Sequence, residues 1–374
     1  MPGWIRRRAG VLRVLVAGAL VSALALVIGS VSAFADGQGW GSTVYTLGNG
    51  AQNAVLAFRA VPGAGLQPLG SYATGGAGTG SPLGSQGALA VAGGRLLAVN
   101  AGSNSVSLFA VLPGGALHLL GTAPSGGTDP ISVAANGDLA YVLNAGGDTV
   151  SGLRITPFGL LPIAGSTRAL SAGTSSPEEI GFSAGGSQVV VTEKGSGTID
   201  ELAVGPLGRV GPAHATASAG AGPYGFDLDA AGHLVVSDAA GGPNGTSAVS
   251  SYGILPGGLH AIGTVDNGQD AACWLIVDRA TGFVYVANAA SGTISLYNVD
   301  WAGRLTLRSA VTATTGGHPV DEALGLGGSR FFVLVSPGGT IMQASIGASG
   351  QLSPISAAAT GLPAGSTGLV SISG

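Results

Sequence analysis

The sequence predicts an all-β protein, a seven-bladed β-propeller of four-stranded antiparallel blades, and three observations support this prediction. A pattern of short apolar strands and glycine turns recurs about every 48 residues along the chain. The pattern occurs seven times, which fits a ring of seven blades. The two ends of the chain each supply part of a repeat, and together they would complete one blade and leave no exposed sheet edge.

Each repeat contains a first strand, a glycine turn, a second strand that ends in a polar residue, and two further strands. The third repeat shows this most plainly, with strands predicted at residues 130–133, 139–144 and 149–153. A fourth strand follows a glycine turn, as at residues 117–120 of the second repeat. Short strands separated by Gly or Asp-Gly turns are typical of antiparallel meanders. The polar residue that ends the second strand lies at Asn49, Asn100, Asn144, Glu193, Asp238, Asn288 and Ser336.

Ring closure is predicted from the two incomplete repeats. Residues 43–47 have the pattern of a second strand with no first strand before it. Residues 369–373 have the pattern of a first strand with nothing after it. We expect these two segments to pair and to build blade one from both ends of the chain.

Residues 1–35 have the pattern of a secretory signal peptide. Arginines at positions 6–8 and 13 precede an apolar stretch that ends in small residues before Asp36. We expect cleavage after Ala35, which leaves residues 36–374 as a single propeller domain that is secreted or associated with the cell surface. An uncleaved membrane anchor is the alternative, because this apolar stretch of about 22 residues could span a bilayer.

Charge and cysteine content exclude several classes of function. Residues 1–35 carry four of the 14 Lys and Arg and none of the 18 Asp and Glu, so residues 36–374 have a net charge of −8. An acidic chain whose only lysine is Lys194 lacks the basic surface that nucleic acids require. Cys273 is the only cysteine, so no intramolecular disulfide can form. We expect a monomer held together by its core.

The candidate functional residues lie where first strands begin and second strands end, because these positions share one face of a propeller near its axis. Acids and aromatic residues at these positions concentrate in blades four to seven, where Glu178 and Cys273 also occupy first-strand positions. A carboxylate there could act as a general base, and an aromatic ring could stack on a ligand. The candidate catalytic residues are Glu193, Asp238, His318 and Asp321, and the candidate ligand-binding residues are Glu179, Tyr224, Trp274 and Asn288.

These residues also have structural interpretations. An Asn at a strand end often shapes the following turn, Trp274 could plug the central channel, and Cys273 could be a small buried side chain. We predict no cofactor, although a divalent cation could bind among Glu193, Asp238, Asn288 and Asp321. The chain has no G-x-S-x-G, H-E-x-x-H, Walker or EF-hand motif.

The blade pattern resembles the lactonase-type seven-bladed propellers, which include bacterial 6-phosphogluconolactonase and fungal carboxymuconate cyclase. The resemblance covers residues 36–374 and is nearest to a secreted, uncharacterised branch of that family. It implies the same fold and lactone chemistry. The segments that carry it are SPEEIGF (176–182), VTEK (191–194), GPYGF (222–226), AACW (271–274), YVANAASGTI (285–294) and PVD (319–321).

The chain departs from the family pattern at the site itself. The family's enzymes carry a Gly-Pro-Arg-His run at the start of a first strand and a Glu at the end of the next strand. Here the run is GPYG at residues 222–225, and Asp238 stands in place of the Glu. A His-rich segment before another first strand is replaced by residues 175–179, SSPEE. The missing Arg makes a phosphorylated substrate a poor fit to this acidic chain.

Three functions remain open from the sequence. The first is a secreted hydrolase of a neutral lactone, in which Glu193 or Asp238 activates water, Tyr224 and Trp274 stack on the ligand, and His318 with Asp321 assists proton transfer. The second is a non-catalytic extracellular propeller that binds a sugar, a cell-wall fragment or a protein on the same face. The third is a ring that only displays loops such as residues 241–246.

Overall fold

The computed structural model describes residues 41–240, 245–255, 257–336 and 338–373. These residues form 29 strands. In chain order the strands are β1 (Ser42–Leu47), β2 (Ala54–Ala60), β3 (Leu66–Ala73), β4 (Leu89–Ala92), β5 (Arg95–Asn100), β6 (Ser105–Val111), β7 (Leu117–Pro124), β8 (Pro130–Asn136), β9 (Leu139–Asn144), β10 (Thr149–Thr156), β11 (Gly159–Pro162), β12 (Arg168–Ala169), β13 (Pro177–Phe182), β14 (Gln188–Glu193), β15 (Thr198–Val204), β16 (Val210–Ala217), β17 (Pro223–Leu228), β18 (Leu234–Asp238), β19 (Ala248–Leu255), β20 (Gly258–Asp266), β21 (Ala272–Asp278), β22 (Phe283–Asn288), β23 (Thr293–Val299), β24 (Leu305–Thr314), β25 (His318–Gly325), β26 (Arg330–Ser336), β27 (Thr340–Ser345), β28 (Ser356–Ala359) and β29 (Thr367–Ser373).

The strands form seven antiparallel sheets, and the predicted seven-bladed propeller is confirmed. Blade one has the order β29-β1-β2-β3, and blades two to seven follow in chain order from β4 to β28. Blade three carries one extra short strand, β12, which pairs with β10. Three single turns of 3-10 helix, at Ala101–Ser103, Ala145–Gly147 and Pro206–Gly208, are the only helical elements in the residues described.

The predicted closure of the ring is also confirmed. Strand β29 pairs antiparallel with β1, with Thr43 opposite Ile372 and Tyr45 opposite Val370. The first strand of blade one therefore comes from the end of the chain, and the blade's other strands come from its beginning.

Burial explains why the second strands lack a clear polar face. Each second strand is flanked within its own blade and covered on both sides by neighbouring blades, so β1 is buried along its whole length and β9 is buried from its second residue onward. The fourth strands lie at the rim and alternate between buried and exposed residues, as β16 does. The period-two pattern of a half-buried strand is therefore clearest at the rim.

Buried tyrosines on second strands tie neighbouring blades together. The hydroxyl of Tyr45 donates to the carbonyl of Gly115 in the next blade at 2.8 Å. Tyr141 bonds Gly208 and Tyr285 bonds Gly350 in the same way, each at 2.8 Å. A buried Tyr needs a partner for its hydroxyl, and a turn of the adjacent blade supplies it.

The predicted signal peptide, its cleavage position and the start of the predicted domain lie outside the residues described, as does most of the loop at 241–246. Within the described residues, no helix is long and apolar enough to cross a membrane.

The strand-end positions hold as predicted in six blades. Asn100, Asn144, Glu193, Asp238, Asn288 and Ser336 are the last residues of β5, β9, β14, β18, β22 and β26. Asn49 differs, because β1 ends at Leu47. Asn49 lies in the following turn with a φ of 52°, a left-handed conformation that Asn tolerates better than most residues.

Candidate functional site

The start of the first strand is irregular in blades three to seven, and this irregularity aims side chains at the axis. In each of these blades the pairing with the second strand skips one residue or two. Such a β-bulge inserts an extra residue and redirects its side chain. The residues in the bulges are Ile131 in blade three, Glu178 in blade four, Tyr224 and Gly225 in blade five, Cys273 in blade six and Asp321 in blade seven.

The bulges bring the predicted first-strand residues together. The Tyr224 ring lies edge-on to the Trp274 ring, with 5.2 Å between centroids. Burial, and after it electrostatic interactions with Glu178, Cys273 and Asp321, raise the pKa of Tyr224 well above its usual value. The ammonium of Lys194 lies 5.1 Å from the Tyr224 ring centroid. Three blades therefore converge on Tyr224.

The axis itself is closed by residues 84–86 of blade two, which we call the axial plug. The Gln86 side-chain amide donates to the Leu275 carbonyl at 2.9 Å and accepts from the Leu275 amide at 3.1 Å. The Trp274 indole donates to the Ser85 carbonyl at 3.0 Å, and the Tyr224 hydroxyl donates to the Gly84 carbonyl. Tyr224 and Trp274 are each only 5% exposed, so their predicted stacking on a ligand requires the plug to move.

Two cavities open on the same face, one on each side of Glu178. The smaller, of about 330 Å³, is lined by Ser176, Glu178, Lys194, Gly195, Gly222 and Ala240. The larger, of about 420 Å³, is lined by Leu83, Asp129, Ile131, Ala145, Asp148 and residues 173–178. Glu178 lines both cavities, and Lys194 lines the smaller one.

Glu178 has the properties of a titratable group near neutral pH. Burial raises the pKa of its carboxyl to about 8, and the nearby Lys194 charge and a hydrogen bond with Tyr224 only partly offset this rise. General bases and acids work best when their pKa lies near the working pH. Glu178 beside Lys194 is therefore the most reactive arrangement bordering these cavities.

The structure places Glu193 away from both cavities. The residue is fully buried, and its carboxyl oxygens contact the hydroxyls of Ser171 at 3.5 Å and Ser196 at 3.2 Å. Burial, and next the adjacent carboxyl of Asp200, raise the pKa of Glu193 to about 8. Its assignment as the base stays a prediction, but Glu178 has the more direct access to a ligand.

Asp238 and Asn288 lie in equivalent, equally closed positions. Asp238 accepts a hydrogen bond from Ser250, its other oxygen Oδ1 has no hydrogen-bond partner among the described residues, and burial raises the pKa of its carboxyl to about 7. Asn288 donates to Ser295 at 2.9 Å and accepts from Asn267 at 2.9 Å. Both residues therefore bond within the blade and its adjoining loop, and a ligand-binding role for Asn288 stays a prediction.

Glu179 and Asp321 lie deep on the first strands. Oε2 of Glu179 accepts the Phe226 amide at 2.6 Å and so links blade four to blade five. Asp321 is 5% exposed, accepts the Glu322 amide at 2.9 Å and has a pKa that burial raises to about 7. Glu322 beside it is also buried, and within the described part of the chain neither of its carboxyl oxygens has a hydrogen-bond partner.

His318 is exposed at the start of β25. Its Nδ1 lies 2.8 Å from the Ala289 carbonyl and donates to it. It borders a separate cavity of about 270 Å³ between blades six and seven, lined by residues 289–292, Thr314 and residues 316–318. His318 thus reaches the predicted face, at a cavity that Glu178 does not line.

The described residues of this face do not favour a metal site or a reactive thiol. Within the described residues, no group of three or more His, Cys, Asp or Glu could hold a metal ion. The four residues considered for a cation, Glu193, Asp238, Asn288 and Asp321, lie in four different blades. The Cys273 thiol is buried, and burial raises its pKa to about 12, so it is a poor nucleophile.

Sequence reasoning placed Glu178 and Lys194 near this face but did not select them, and it missed the axial plug. Because of the bulge, Glu178 lines the cavities whereas Glu179 bonds to the next blade. The sequence shows only two adjacent glutamates and does not indicate which of them faces the cavities. One available signal was that Lys194 is the only lysine in the chain.

Comparison with known proteins agrees with this architecture. Residues 238–325 match the family model "Lactonase, 7-bladed beta-propeller". A search of curated proteins finds no significant match.

Several solved structures share the fold. A candidate 6-phosphogluconolactonase from Bacteroides uniformis is 19% identical, with a TM-score of 0.70 over 88% of this chain and 99% of that chain. A protein from Lactobacillus plantarum is 18% identical, with a TM-score of 0.72 over 89% and 99% of the two chains. The periplasmic gluconolactonase of Pseudomonas aeruginosa is 18% identical, with a TM-score of 0.54 over 73% and 83%. Residues 238–325 are therefore similar to the lactonase-type propellers, and the chain shares the seven-bladed β-propeller fold of these solved structures.

Proposed function

We propose that the chain hydrolyses a neutral, non-phosphorylated lactone in the smaller cavity, with Glu178 as the general base and Lys194 as the group that stabilises the oxyanion. One observation carries this proposal: a buried glutamate and the chain's only lysine line the same cavity at the axial face. The lactonase-type fold supports the reaction class.

The chemistry needs one proton acceptor and one positive charge. Glu178 in its ionised form takes a proton from water, and the hydroxide attacks the lactone carbonyl carbon. The developing oxyanion is stabilised by the Lys194 ammonium. When the ring C–O bond breaks, Glu178 returns the proton to the leaving alkoxide oxygen, and the product is a hydroxy acid.

The charges around the cavities support a neutral substrate. Asp129, Asp148 and Glu178 line the larger cavity, whereas Lys194 is the single basic residue that lines the smaller one. A phosphate group would meet more negative than positive charge there. A sugar lactone with free hydroxyls is the better complement.

We also propose that the protein acts outside the cytoplasm, as the pattern of residues 1–35 indicates. Expression in a secreting host followed by N-terminal sequencing of the protein in the medium tests this. A first residue of Asp36 supports it, and a chain that retains Met1 and stays with the cells contradicts it.

The test of activity is hydrolysis of a panel of sugar and aliphatic lactones by residues 36–374, with and without a chelator. We expect Glu178→Gln and Lys194→Met to fold and to lose turnover. Glu201→Gln is the matched control, because Glu201 lies in the same blade and bonds the Leu259 amide instead of lining a cavity. If Glu193→Gln abolishes turnover and Glu178→Gln does not, the base is Glu193 and our assignment is wrong.

A non-catalytic binding propeller is the second candidate. It is favoured by the burial of Glu193 and Asp238 and by the axial plug over Tyr224 and Trp274. It predicts saturable binding of a neutral sugar in calorimetry, with no product formed and with affinity lost in Lys194→Met.

A further inference from the structure

The loops that lead from one blade to the next, which we call entry loops, are built alike in five blades. The first residue of each donates its amide to a carbonyl of the preceding blade. Its polar side chain then bonds within the loop or to the blade, as Ser125 Oγ does to the Gly127 carbonyl at 3.0 Å. The first three residues are Thr74-Gly75-Gly76, Ser125-Gly126-Gly127, Ser218-Ala219-Gly220, Asn267-Gly268-Gln269 and Thr315-Gly316-Gly317.

The entry loop of blade four, residues 170–176, departs from this plan. Leu170 makes the same amide bond, to the Asp148 carbonyl at 2.8 Å, but its side chain is apolar, packs into the core and makes no hydrogen bond to the residues that follow it. Ser171 makes the polar contacts of the loop instead. Its amide donates to Oδ2 of Asp200 at 2.7 Å, and its hydroxyl lies 3.5 Å from Oε1 of Glu193. The beginning of this loop is therefore held by two carboxyl groups.

The same two positions are neutral in most other blades. Asn100 with Ser107, Asn144 with Ser151 and Asn288 with Ser295 form amide–hydroxyl hydrogen bonds at 2.8, 3.3 and 2.9 Å. Blade four replaces both members of the pair with acids, Glu193 and Asp200, and both are fully buried. Two buried carboxyl groups in contact repel each other strongly when both are ionised, so a protonated Glu193 is favoured beside Asp200.

The entry loop of blade four also forms a wall of the candidate site. Residues 173–176 line the larger cavity, and Ser176 lines the smaller one. The end of the loop is held independently, by the Ser175 hydroxyl on Asp148 at 2.7 Å and by the Gly195 amide on the Ser175 carbonyl at 2.8 Å. Loss of the bonds at Ser171 would thus free the beginning of the loop while its end stays attached.

We propose that Glu193, Asp200 and Ser171 form a pH-controlled latch: a proton shared by the two carboxyl groups holds the entry loop of blade four closed, and its loss releases residues 171–174 and opens the larger cavity. The mechanism is electrostatic. With both groups ionised, repulsion moves the two carboxylates apart, and Ser171 can no longer donate to both of them at once.

Among the titratable neighbours of Glu193, Asp200 is the one that affects its pKa. Burial and, after it, the contact with Asp200 raise the pKa of Glu193 to about 8, so the latch releases in mildly alkaline conditions. Glu201 bonds the Leu259 amide, and Lys194 lies over Tyr224. The other titratable or charged side chains on the elements around the pair are Asp148, Arg168, Glu178, Glu179, His214, Tyr224 and Asp227.

Hydrogen exchange read by mass spectrometry tests the latch, with protection factors corrected for the intrinsic pH dependence of exchange. In the wild type we expect protection of the Ser171 amide to fall about tenfold from about pH 6.5 to about pH 9.5. In Glu193→Gln the amide side chain donates to Asp200 at every pH, so protection stays high and flat. Asp238→Asn, the change at the equivalent position of blade five, is the matched control and keeps the wild-type response.

A second variant keeps the proposal testable if Glu193→Gln does not fold. Glu193→Asn/Asp200→Ser installs the pair found in blades two, three and six, and we expect low protection of the Ser171 amide at every pH. Wild-type protection that does not change with pH, or a full pH response in Glu193→Gln, overturns the proposal. The measurement needs no catalytic turnover, so its outcome is separate from that of the proposed hydrolysis.

Discussion

Blades three and four share one backbone plan and differ in what they place around the candidate site. The bulge of blade three holds Ile131 and that of blade four holds Glu178. The strand-end pair is Asn144 with Ser151 in blade three and Glu193 with Asp200 in blade four. The hydrogen-bond ladder is the same, so the fold accepts either set. The fold therefore does not require the acids of blade four, and a functional role is the natural explanation for their presence.

The largest expected effect, on kcat/KM, comes from a substitution that makes the bulge of blade four like that of blade three. Glu178→Ile gives blade four the residue that blade three carries. Loss of a general base should lower kcat/KM by about a thousandfold. Stability should hold or rise, since a buried carboxyl is removed. Steady-state kinetics on a substrate from the lactone panel, together with thermal unfolding, measures both, and an active Glu178→Ile enzyme would contradict our assignment.

The second effect concerns the entry loops. A Cβ at Gly127 would lie 2.7 Å from Cβ of Asn144, whereas blade four has Ala172 at the equivalent position. We expect Gly127→Ala to lower the free energy of unfolding by about 2 kcal/mol through overpacking. Ala172→Gly, its counterpart, should cost less than about 1 kcal/mol. Urea unfolding compares the two, and equal losses would show that the entry loops do not differ in this way.

The third effect is the pH dependence of stability. Burial raises the pKa of Glu178 and Glu193 to about 8 and that of Asp238 and Asp321 to about 7. Between their ordinary values and these raised values, the folded chain binds more protons than the unfolded chain. Stability must therefore fall as pH rises through this window and level off above it.

Thermal unfolding from about pH 5 to about pH 9 measures this trend, with an expected fall in Tm of about 5 °C or more. Glu193→Asn/Asp200→Ser should show a smaller fall, because it replaces the acid pair with the neutral pair of blade three. A Tm that rises with pH over this range would contradict the burial of these carboxyl groups in protonated form.

The smallest effect concerns a surface ion pair in blade three. Arg154 and Asp138 contact each other, and their side chains are 37% and 63% exposed. An exposed pair contributes little, so Asp138→Ala should change the free energy of unfolding by less than about 0.5 kcal/mol. A loss above about 1 kcal/mol in urea unfolding would show that this pair supports the blade more than exposure suggests.

The fold could be predicted because its signals are local and repeated. The second strands, the glycine turns and the unmatched strands at the two ends are visible in the sequence, and all three agree with the structure. The face on which first strands begin and second strands end follows from the same topology. The choice of residues within that face does not.

Three features of the site depend on interactions that sequence patterns do not reveal. A bulge separates the roles of Glu178 and Glu179, which are adjacent in the chain. The axial plug bonds Leu275 from a position 189 residues earlier in the chain. Asp200 becomes the partner of Glu193 only through the register of β14 with β15. Each depends on pairing between strands or across the axis.

The most direct test of the central claim is the pH dependence of kcat/KM on a hydrolysed lactone. Our account predicts that the rate rises with pH through an apparent pKa of about 8, as Glu178 ionises. The Lys194 charge lowers the pKa of Glu178, so Lys194→Met should move any residual profile to higher pH. A profile that is flat through this range, or one that Glu178→Gln leaves intact, would show that Glu178 is not the base and would contradict the account.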